Sequence, residues 1–120
     1  MIFSEKQIMI RAWMVREIVN IAMERSNVSV DKVFLIGSYA AGTPTEWSDL
    51  DFLVQLKGGR MYPTWLQIQE IHEKLDSTRT HVIFGTEEAQ ESLSKRLGLP
   101  YKQISFEGVT DVTSTHRPVA

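Results

Sequence analysis

The chain of 120 residues is long enough for one domain with its own core, and its 42% hydrophobic and 23% charged residues are ordinary for a soluble globular protein. A net charge of −2 argues against strong general binding of nucleic acid, and the absence of cysteine excludes disulfides and thiolate metal sites. It has no apolar run of about 18 residues and no signal-peptide pattern, so we expect a cytoplasmic protein that does not span a membrane.

The first predicted element is a long helix. Ser4 with Gln7 is typical of a capping box, and the helix should run to about Arg25. Its predicted core face is an apolar stripe at helical spacing, made of Ile8, Ala12, Val15, Val19 and Ala22. More apolar side chains lie outside this stripe, namely Met9, Ile10, Trp13, Met14 and Ile21. Because a domain of this size has little further core for them, we expect a homo- or hetero-oligomer through this helix, unless the domain wraps it more deeply.

The centre of the chain predicts two buried strands joined by a tight turn. Its elements are, in order, a polar connection at 27–32, a strand at 33–36, a short helical turn at 38–42, a loop at 43–47 and a strand at 49–56. Gly37 and Ser38 end the first strand, and glycine there lets backbone N–H groups approach a ligand such as a phosphate. This stretch is therefore a candidate anion-binding site.

Two carboxylates begin the second of these strands. Asp49 and Asp51 are two residues apart, so both point to one face of a strand, roughly 6–7 Å apart at the backbone. Two carboxylates beside a phosphate-binding turn are typical of a Mg²⁺ site, since Mg²⁺ binds a few carboxylates together with substrate phosphates. Taken alone, a Gly-Ser pair is more often an ordinary turn, and Asp-x-Asp is more often a solvated strand face. It is the combination at this spacing that indicates a site.

The rest of the chain completes an alternation of strands and capped helices. The predicted elements are a helix at 64–75 capped by Thr64, a strand at 80–84, a helix capped by Thr86 and ended by Gly98, and an edge strand at 101–106. We expect one α/β domain over residues 1–107. Residues 108–120, with His116, are expected to form a flexible tail without a catalytic role.

The central pattern is Gly-Ser, a glycine a few residues on, and then Ser-Asp-x-Asp followed by apolar residues. It resembles the signature of the DNA polymerase beta-like nucleotidyltransferases, and the short chain is most similar to the minimal members of that superfamily. The resemblance implies a two-layer fold with a mixed sheet of about four strands packed with helices. It also implies metal-dependent transfer of a nucleoside monophosphate from a nucleoside triphosphate, such as ATP, to a hydroxyl acceptor.

The resemblance assigns roles to individual residues. Asp49 and Asp51 would be catalytic and would bind two divalent ions, Mg²⁺ or Mn²⁺. Gly37 and Ser38 would hold the triphosphate, and Ser48 would support the turn that carries the aspartates. In the superfamily a third acidic residue lies on a later strand and helps to deprotonate the attacking hydroxyl. Here His81 occupies the matching position and could act as a metal ligand or a base. Asp76 is the alternative candidate for the third position. His81 could also be an ordinary strand histidine without a catalytic role.

Three functions remain open from the sequence. The first is the metal-dependent nucleotidyltransferase. The second is a catalytically weak or inactive nucleotide-binding relative that acts as an interaction module, such as the antitoxin partner of a HEPN-type toxin. The third is a structural domain with chance motifs, which the combined pattern disfavours. Because 120 residues leave little room for a substrate-recognition domain, we expect a second chain to supply it.

Overall fold

The chain alternates helices and strands, as predicted. The computed structural model describes residues 1–107, so the predicted tail and His116 lie outside the described residues. The elements are α1 (Glu5–Met23), β1 (Ser29–Ile36), α2 (Gly37–Ala41), β2 (Leu50–Lys57), α3 (Trp65–Leu75), β3 (Thr80–Phe84), α4 (Glu87–Leu97) and β4 (Lys102–Gln103). The predicted α/β class is therefore confirmed. Among the described residues, no helix is both long enough and apolar enough to cross a membrane.

Side-chain caps fix where the helices begin. Ser4 and Gln7 form the predicted capping box of α1, and Thr64 and Gln67 form a second box at α3. Thr86 accepts a hydrogen bond from the backbone N–H of Ala89 at the start of α4. Each such cap satisfies backbone groups that the helix itself leaves without a partner, and stabilises the helix by about 1 kcal/mol.

The four strands form one mixed sheet in the order β3-β2-β1-β4. β1 is antiparallel to β2 and to β4, whereas β2 and β3 are parallel. The predicted first strand was too short at its start. β1 begins at Ser29 because the polar residues before Val33 also pair with the end of β2, and because the backbone N–H of Val30 donates to Asn20 Oδ1 at 2.7 Å.

The fourth strand was predicted too long. Only Lys102 and Gln103 form a ladder, opposite Leu35 and Phe34 at the edge of the sheet. Ile104 continues beside β1, since its N–H donates to the carbonyl of Val33 at 2.8 Å and its side chain is buried. The alternation of side chains was right, but the regular ladder ends after Gln103.

The core lies on one face of the sheet. Leu50, Phe52 and Val54 of β2 pack there beneath α1 and α3, and all three are fully buried. Burying a side chain of this size contributes roughly 1.5–3 kcal/mol, so this face carries most of the stability. The intervening residues Asp51 and Leu53 point to the opposite face. On that second face Leu53 is buried, whereas Asp51 is half-buried.

The outer side of α1 is less exposed than its sequence suggested. Met9 and Met14 pack against the core, and Trp13 is half-buried, so the domain does wrap this helix more deeply than one stripe. Ile10 and Ile21 remain on the surface, with 40% and 61% of their area exposed. The apolar surface of α1 is therefore centred on these two isoleucines.

Candidate active site

The two aspartates lie on the second face of the sheet, at the start of its central strand β2. Asp49 immediately precedes β2, and Asp51 pairs with Ile36 of β1 on one side and with His81 of β3 on the other. The parallel register of β2 and β3 thus brings His81 beside the aspartates. This placement depends on strand pairing, which the sequence alone did not give.

The imidazole of His81 contacts both carboxylates. Its Nδ1 is 3.3 Å from Asp51 Oδ1, and its Nε2 is 3.4 Å from Asp49 Oδ2. The His81 side chain is 67% exposed, whereas the two aspartate side chains are about one-third exposed. Each contact is an ion pair only when the ring is protonated.

The Gly37-Ser38 turn lies directly against Asp51. Gly37 has φ +73°, and a Cβ placed on it would be only 2.4 Å from Asp51 Oδ2. Glycine is therefore required twice, for the backbone conformation and for the close approach of the carboxylate. The first N–H groups of α2 have no partner within the helix. The end of β1 thus places backbone N–H groups that α2 itself does not use close to Asp51.

We expect Gly37→Ala to destabilise the protein more than Gly42→Ala. Gly42 has φ +76° with nothing within 4 Å of the added Cβ, so alanine there meets only the left-handed backbone, at about 1–2 kcal/mol. At Gly37 the collision with Asp51 adds a further cost, so the free energy of unfolding should fall by about 2–4 kcal/mol in total. Urea denaturation measures both values. Equal losses in the two variants would show that Asp51 does not press against the turn.

Arg79 is a site residue that the sequence reading missed. It has φ +55°, after the 3₁₀ turn Asp76–Thr78, and its Nε lies 3.6 Å from Asp49 Oδ1. Its Nη2 donates to the carbonyls of Glu46, at 3.0 Å, and of Ser48, while its own carbonyl accepts from the N–H of Leu50 at 2.9 Å. Arg79 therefore fixes the loop before β2 and places a positive charge beside Asp49.

Ser48 belongs to the turn that leads into Asp49. Its Oγ accepts a hydrogen bond from the backbone N–H of Thr45 at 2.9 Å, and its N–H donates to the carbonyl of Thr45 at 3.0 Å. The hydroxyl is thus used within the loop. Together with the contacts of Arg79, these bonds hold the backbone at Asp49 from both sides.

Burial raises the pKa of the Asp51 carboxyl, and the nearby charge of Asp49 raises it further, while His81 opposes both effects. The charged carboxylate is therefore less favourable here than in water. A bound cation would relieve this cost. The aspartate pair is consequently a place where a positive ligand is favoured.

We expect Asp51→Asn to raise the melting temperature of the metal-free protein at neutral pH. Because the pKa of Asp51 is raised in the folded state, the charged form opposes folding above that pKa, and the penalty disappears as the pH falls below the unfolded value. The gain over wild type should therefore shrink on acidification. Scanning calorimetry across pH measures it, with the exposed Glu70→Gln on α3 as the control. A gain that does not vary with pH would contradict this explanation.

The donor set partly suits a divalent ion. Asp49 and Asp51 offer the oxygen ligands that Mg²⁺ and Mn²⁺ prefer, and they share one face of the sheet. Among residues 1–107, however, no three His, Cys, Asp or Glu side chains converge on one point for a metal. The imidazole of His81 lies between the carboxylates instead. A metal held by both carboxylates would have to displace that ring.

An open recess of about 560 Å³ extends from the aspartates around the edge strand β3. His81 borders it at one end, and His72 and Asp76 border it at the other. Asp76 is exposed in its 3₁₀ turn. Of the two candidates for the third position, His81 is the one in contact with the aspartates.

The sequence was also compared with known proteins. A family model described as a nucleotidyltransferase domain matches residues 15–110, which is well over half of the chain. This match includes the Gly37-Ser38 turn, both aspartates and His81. No curated protein and no solved structure matches the chain significantly.

Proposed function

Because the chain belongs to the nucleotidyltransferase domain family, we propose that it transfers a nucleoside monophosphate from a nucleoside triphosphate to a hydroxyl acceptor, with Mg²⁺ or Mn²⁺. One observation carries the proposal: Asp49 and Asp51 share one face of the central strand, with Asp51 packed against the Gly37 turn. Free backbone donors and two carboxylates then meet at one place. That is the arrangement which phosphoryl transfer requires.

Each residue of the site has a proposed task. The backbone N–H groups at Gly37 and Ser38 bind triphosphate oxygens, and Ser48 with Arg79 keeps Asp49 in place. Asp49 and Asp51 are the residues that would hold the divalent ion. Such an ion would activate the acceptor hydroxyl and stabilise the leaving pyrophosphate. These tasks need no residue outside the described part of the chain.

His81 is proposed to take the proton of the attacking hydroxyl. The acceptor oxygen bonds to the α-phosphorus, the bond from that phosphorus to the pyrophosphate oxygen breaks, and the hydroxyl proton moves to the neutral imidazole. His81 is exposed and reaches both aspartates, which supports this role. The acceptor is proposed to enter through the recess between His81 and His72, where a second chain has room to complete the binding site.

Isothermal titration calorimetry with a non-hydrolysable nucleoside triphosphate tests the proposal. Binding should require Mg²⁺ or Mn²⁺ and should vanish when the metal is chelated, because the triphosphate would otherwise face two uncompensated carboxylates. Equal affinity with and without metal would refute the proposed site.

A second candidate function is nucleotide binding without efficient turnover, as an interaction module for a second protein such as a HEPN-type toxin. The observation that favours it is that His81 and Arg79 already pair with the proposed metal ligands. The guanidinium, and the imidazole when it is protonated, would compete with a metal for the same carboxylates. This candidate predicts metal-dependent nucleotide binding but little release of pyrophosphate.

Either function is compatible with association through α1, which we propose is centred on Ile10 and Ile21. We expect Ile21→Glu to halve the molar mass of a homodimer, or to abolish co-purification of a partner, because a buried charge disfavours an apolar interface. Ile21 is 61% exposed, so the fold should tolerate the change better than Trp13→Glu. Light scattering measures the mass, and Leu66→Glu on α3, where the side chain is 69% exposed, is the control. A wild type that is monomeric at high concentration and recovers no partner contradicts the proposal.

A further inference from the structure

A second recess lies on the same face of the sheet as the aspartates, between α2 and α4. Its volume is about 430 Å³, and its walls include Gly37 and Ser38 on one side and Leu93 on the other. Ile83 borders both this recess and the acidic one, so the two adjoin. A ligand whose phosphates lie at the Gly37 turn therefore has one apolar space directly beside it.

The lining of this recess is mostly apolar, with Ser38, Thr43 and Gln90 as its polar members. Ile83 of β3 is 53% exposed although it sits on the sheet face, and Leu99 is 49% exposed. Exposed aliphatic side chains around a concave space are typical of sites for flat, largely apolar ligand groups. Of the polar lining residues, Gln90 is the one that is buried, with 8% of its area exposed.

Gln90 has an unused hydrogen-bonding capacity. Its Nε2 donates to Ser94 Oγ at 3.1 Å, and within residues 1–107 no group donates to its Oε1. A buried side-chain acceptor in a stable fold is rarely left without a donor. The amide also keeps a second N–H, so Gln90 can offer one acceptor and one donor to a ligand.

The position of Gln90 is fixed by contacts at the start of α4. Lys32 Nζ donates to Glu87 Oε1 at 2.8 Å, and the N–H of Glu87 donates to Gln55 Oε1 at 2.6 Å. Both partners lie on the second face of the sheet, so α4 is anchored over it. A group held in this way is suited to discriminate between ligands.

We propose that the recess between α2 and α4 binds the nucleobase of the triphosphate substrate, and that Gln90 selects adenine. This inference rests on the proposed function, which places the phosphates at Gly37 and Ser38. The Oε1 of Gln90 accepts from the exocyclic amino group of adenine, and the remaining N–H donates to a ring nitrogen, the pairing by which glutamine recognises adenine elsewhere. A purine also covers more of the apolar lining than a pyrimidine does.

Calorimetry in Mg²⁺ with non-hydrolysable analogues of the four nucleoside triphosphates, and with inorganic tripolyphosphate, tests this proposal. The adenine nucleotide should bind at least about tenfold more tightly than the other three, which corresponds to about 1.4 kcal/mol. Gln90→Leu should reduce this preference below about threefold without changing tripolyphosphate binding. Gln69→Leu on the exposed face of α3 is the matched control and should retain the preference.

A second variant keeps the test independent of the stability of Gln90→Leu. Ala41 lines the recess, and Ala41→Trp should fill it, weakening all four nucleotides at least about tenfold while tripolyphosphate still binds. Four equal affinities in the wild type, or a preference that survives Gln90→Leu, would overturn the role of Gln90. Unchanged nucleotide affinity in Ala41→Trp would overturn the proposal that this recess binds the nucleobase. If neither nucleotides nor tripolyphosphate bind with Mg²⁺, the proposed function itself fails.

Discussion

The double variant Asp49→Asn, Asp51→Asn should lose nucleotidyl transfer by at least about a thousandfold, and metal-dependent nucleotide binding with it. Asparagine keeps the shape of each side chain but removes the two charges that would hold the divalent ion. A thousandfold loss corresponds to about 4 kcal/mol of transition-state stabilisation, which is the magnitude expected for metal-assisted phosphoryl transfer. Transfer is measured with a nucleoside triphosphate labelled on its α-phosphate, by release of unlabelled pyrophosphate and labelling of acceptor or protein.

The control for this variant is Asp31→Asn. Asp31 is an exposed carboxylate of β1 that accepts a hydrogen bond from Gln55 Nε2, outside the proposed site. It should retain transfer, and circular dichroism should show that all variants are folded. If the double variant is folded and still transfers at the rate of the wild type, the two aspartates are not required for transfer.

The replacement His81→Asp should raise the rate of transfer, by about tenfold or more. Asp51 and His81 are paired across β2 and β3, so a carboxylate at 81 would face the two aspartates directly. It would supply a harder oxygen ligand for Mg²⁺ and a fixed acceptor for the hydroxyl proton, and general base catalysis contributes up to about 10²–10⁴-fold. If the wild type is a binding module without turnover, the same change should create measurable transfer.

Lys74→Asp is the control for this gain. Lys74 is an exposed residue of α3 that does not line the recess, so its replacement should leave the rate near that of the wild type. The opposing result is specific: if His81→Asp has no effect while Asp76→Ala abolishes transfer, then Asp76 is the third acid and His81 is an ordinary strand residue.

Local chemistry predicted much of the fold. Ser4, Thr64 and Thr86 begin their helices as the capping patterns indicated, since a cap is decided by residues within one turn. The strand boundaries at Ser29 and Gln103 were not predicted, because they depend on which backbone groups a neighbouring strand offers. Local rules carry no information about that neighbour.

The candidate site likewise contains residues that local patterns predict and residues that depend on tertiary structure. Gly37, Asp49 and Asp51 were found because motif spacing places them on one turn and one strand. The contact of His81 with both aspartates required the parallel register of β2 and β3. Arg79 was interpreted only as a turn residue; its position directly before the third strand was the one signal available, and its long side chain reaches residues 46 and 48 across the fold.

The burial of Gln90 could not be predicted from the periodicity of the sequence. In the sequence it is one polar residue among several in the second turn of a helix with a strongly polar composition, and nothing there distinguishes it from Glu88 or Glu91. Its burial depends on the position of α4 over the second face of the sheet, which is tertiary. The recess proposed for the nucleobase therefore forms only once that face has been assembled.

A crystal structure of the protein with Mg²⁺ and a non-hydrolysable adenine nucleotide tests the proposed site most directly. The account predicts metal density bound by Asp49 and Asp51, triphosphate oxygens within hydrogen-bonding distance of the backbone N–H groups at Gly37 and Ser38, and the imidazole of His81 rotated out from between the carboxylates. A nucleotide bound elsewhere, with the His81 bridge between Asp49 and Asp51 intact, would contradict it.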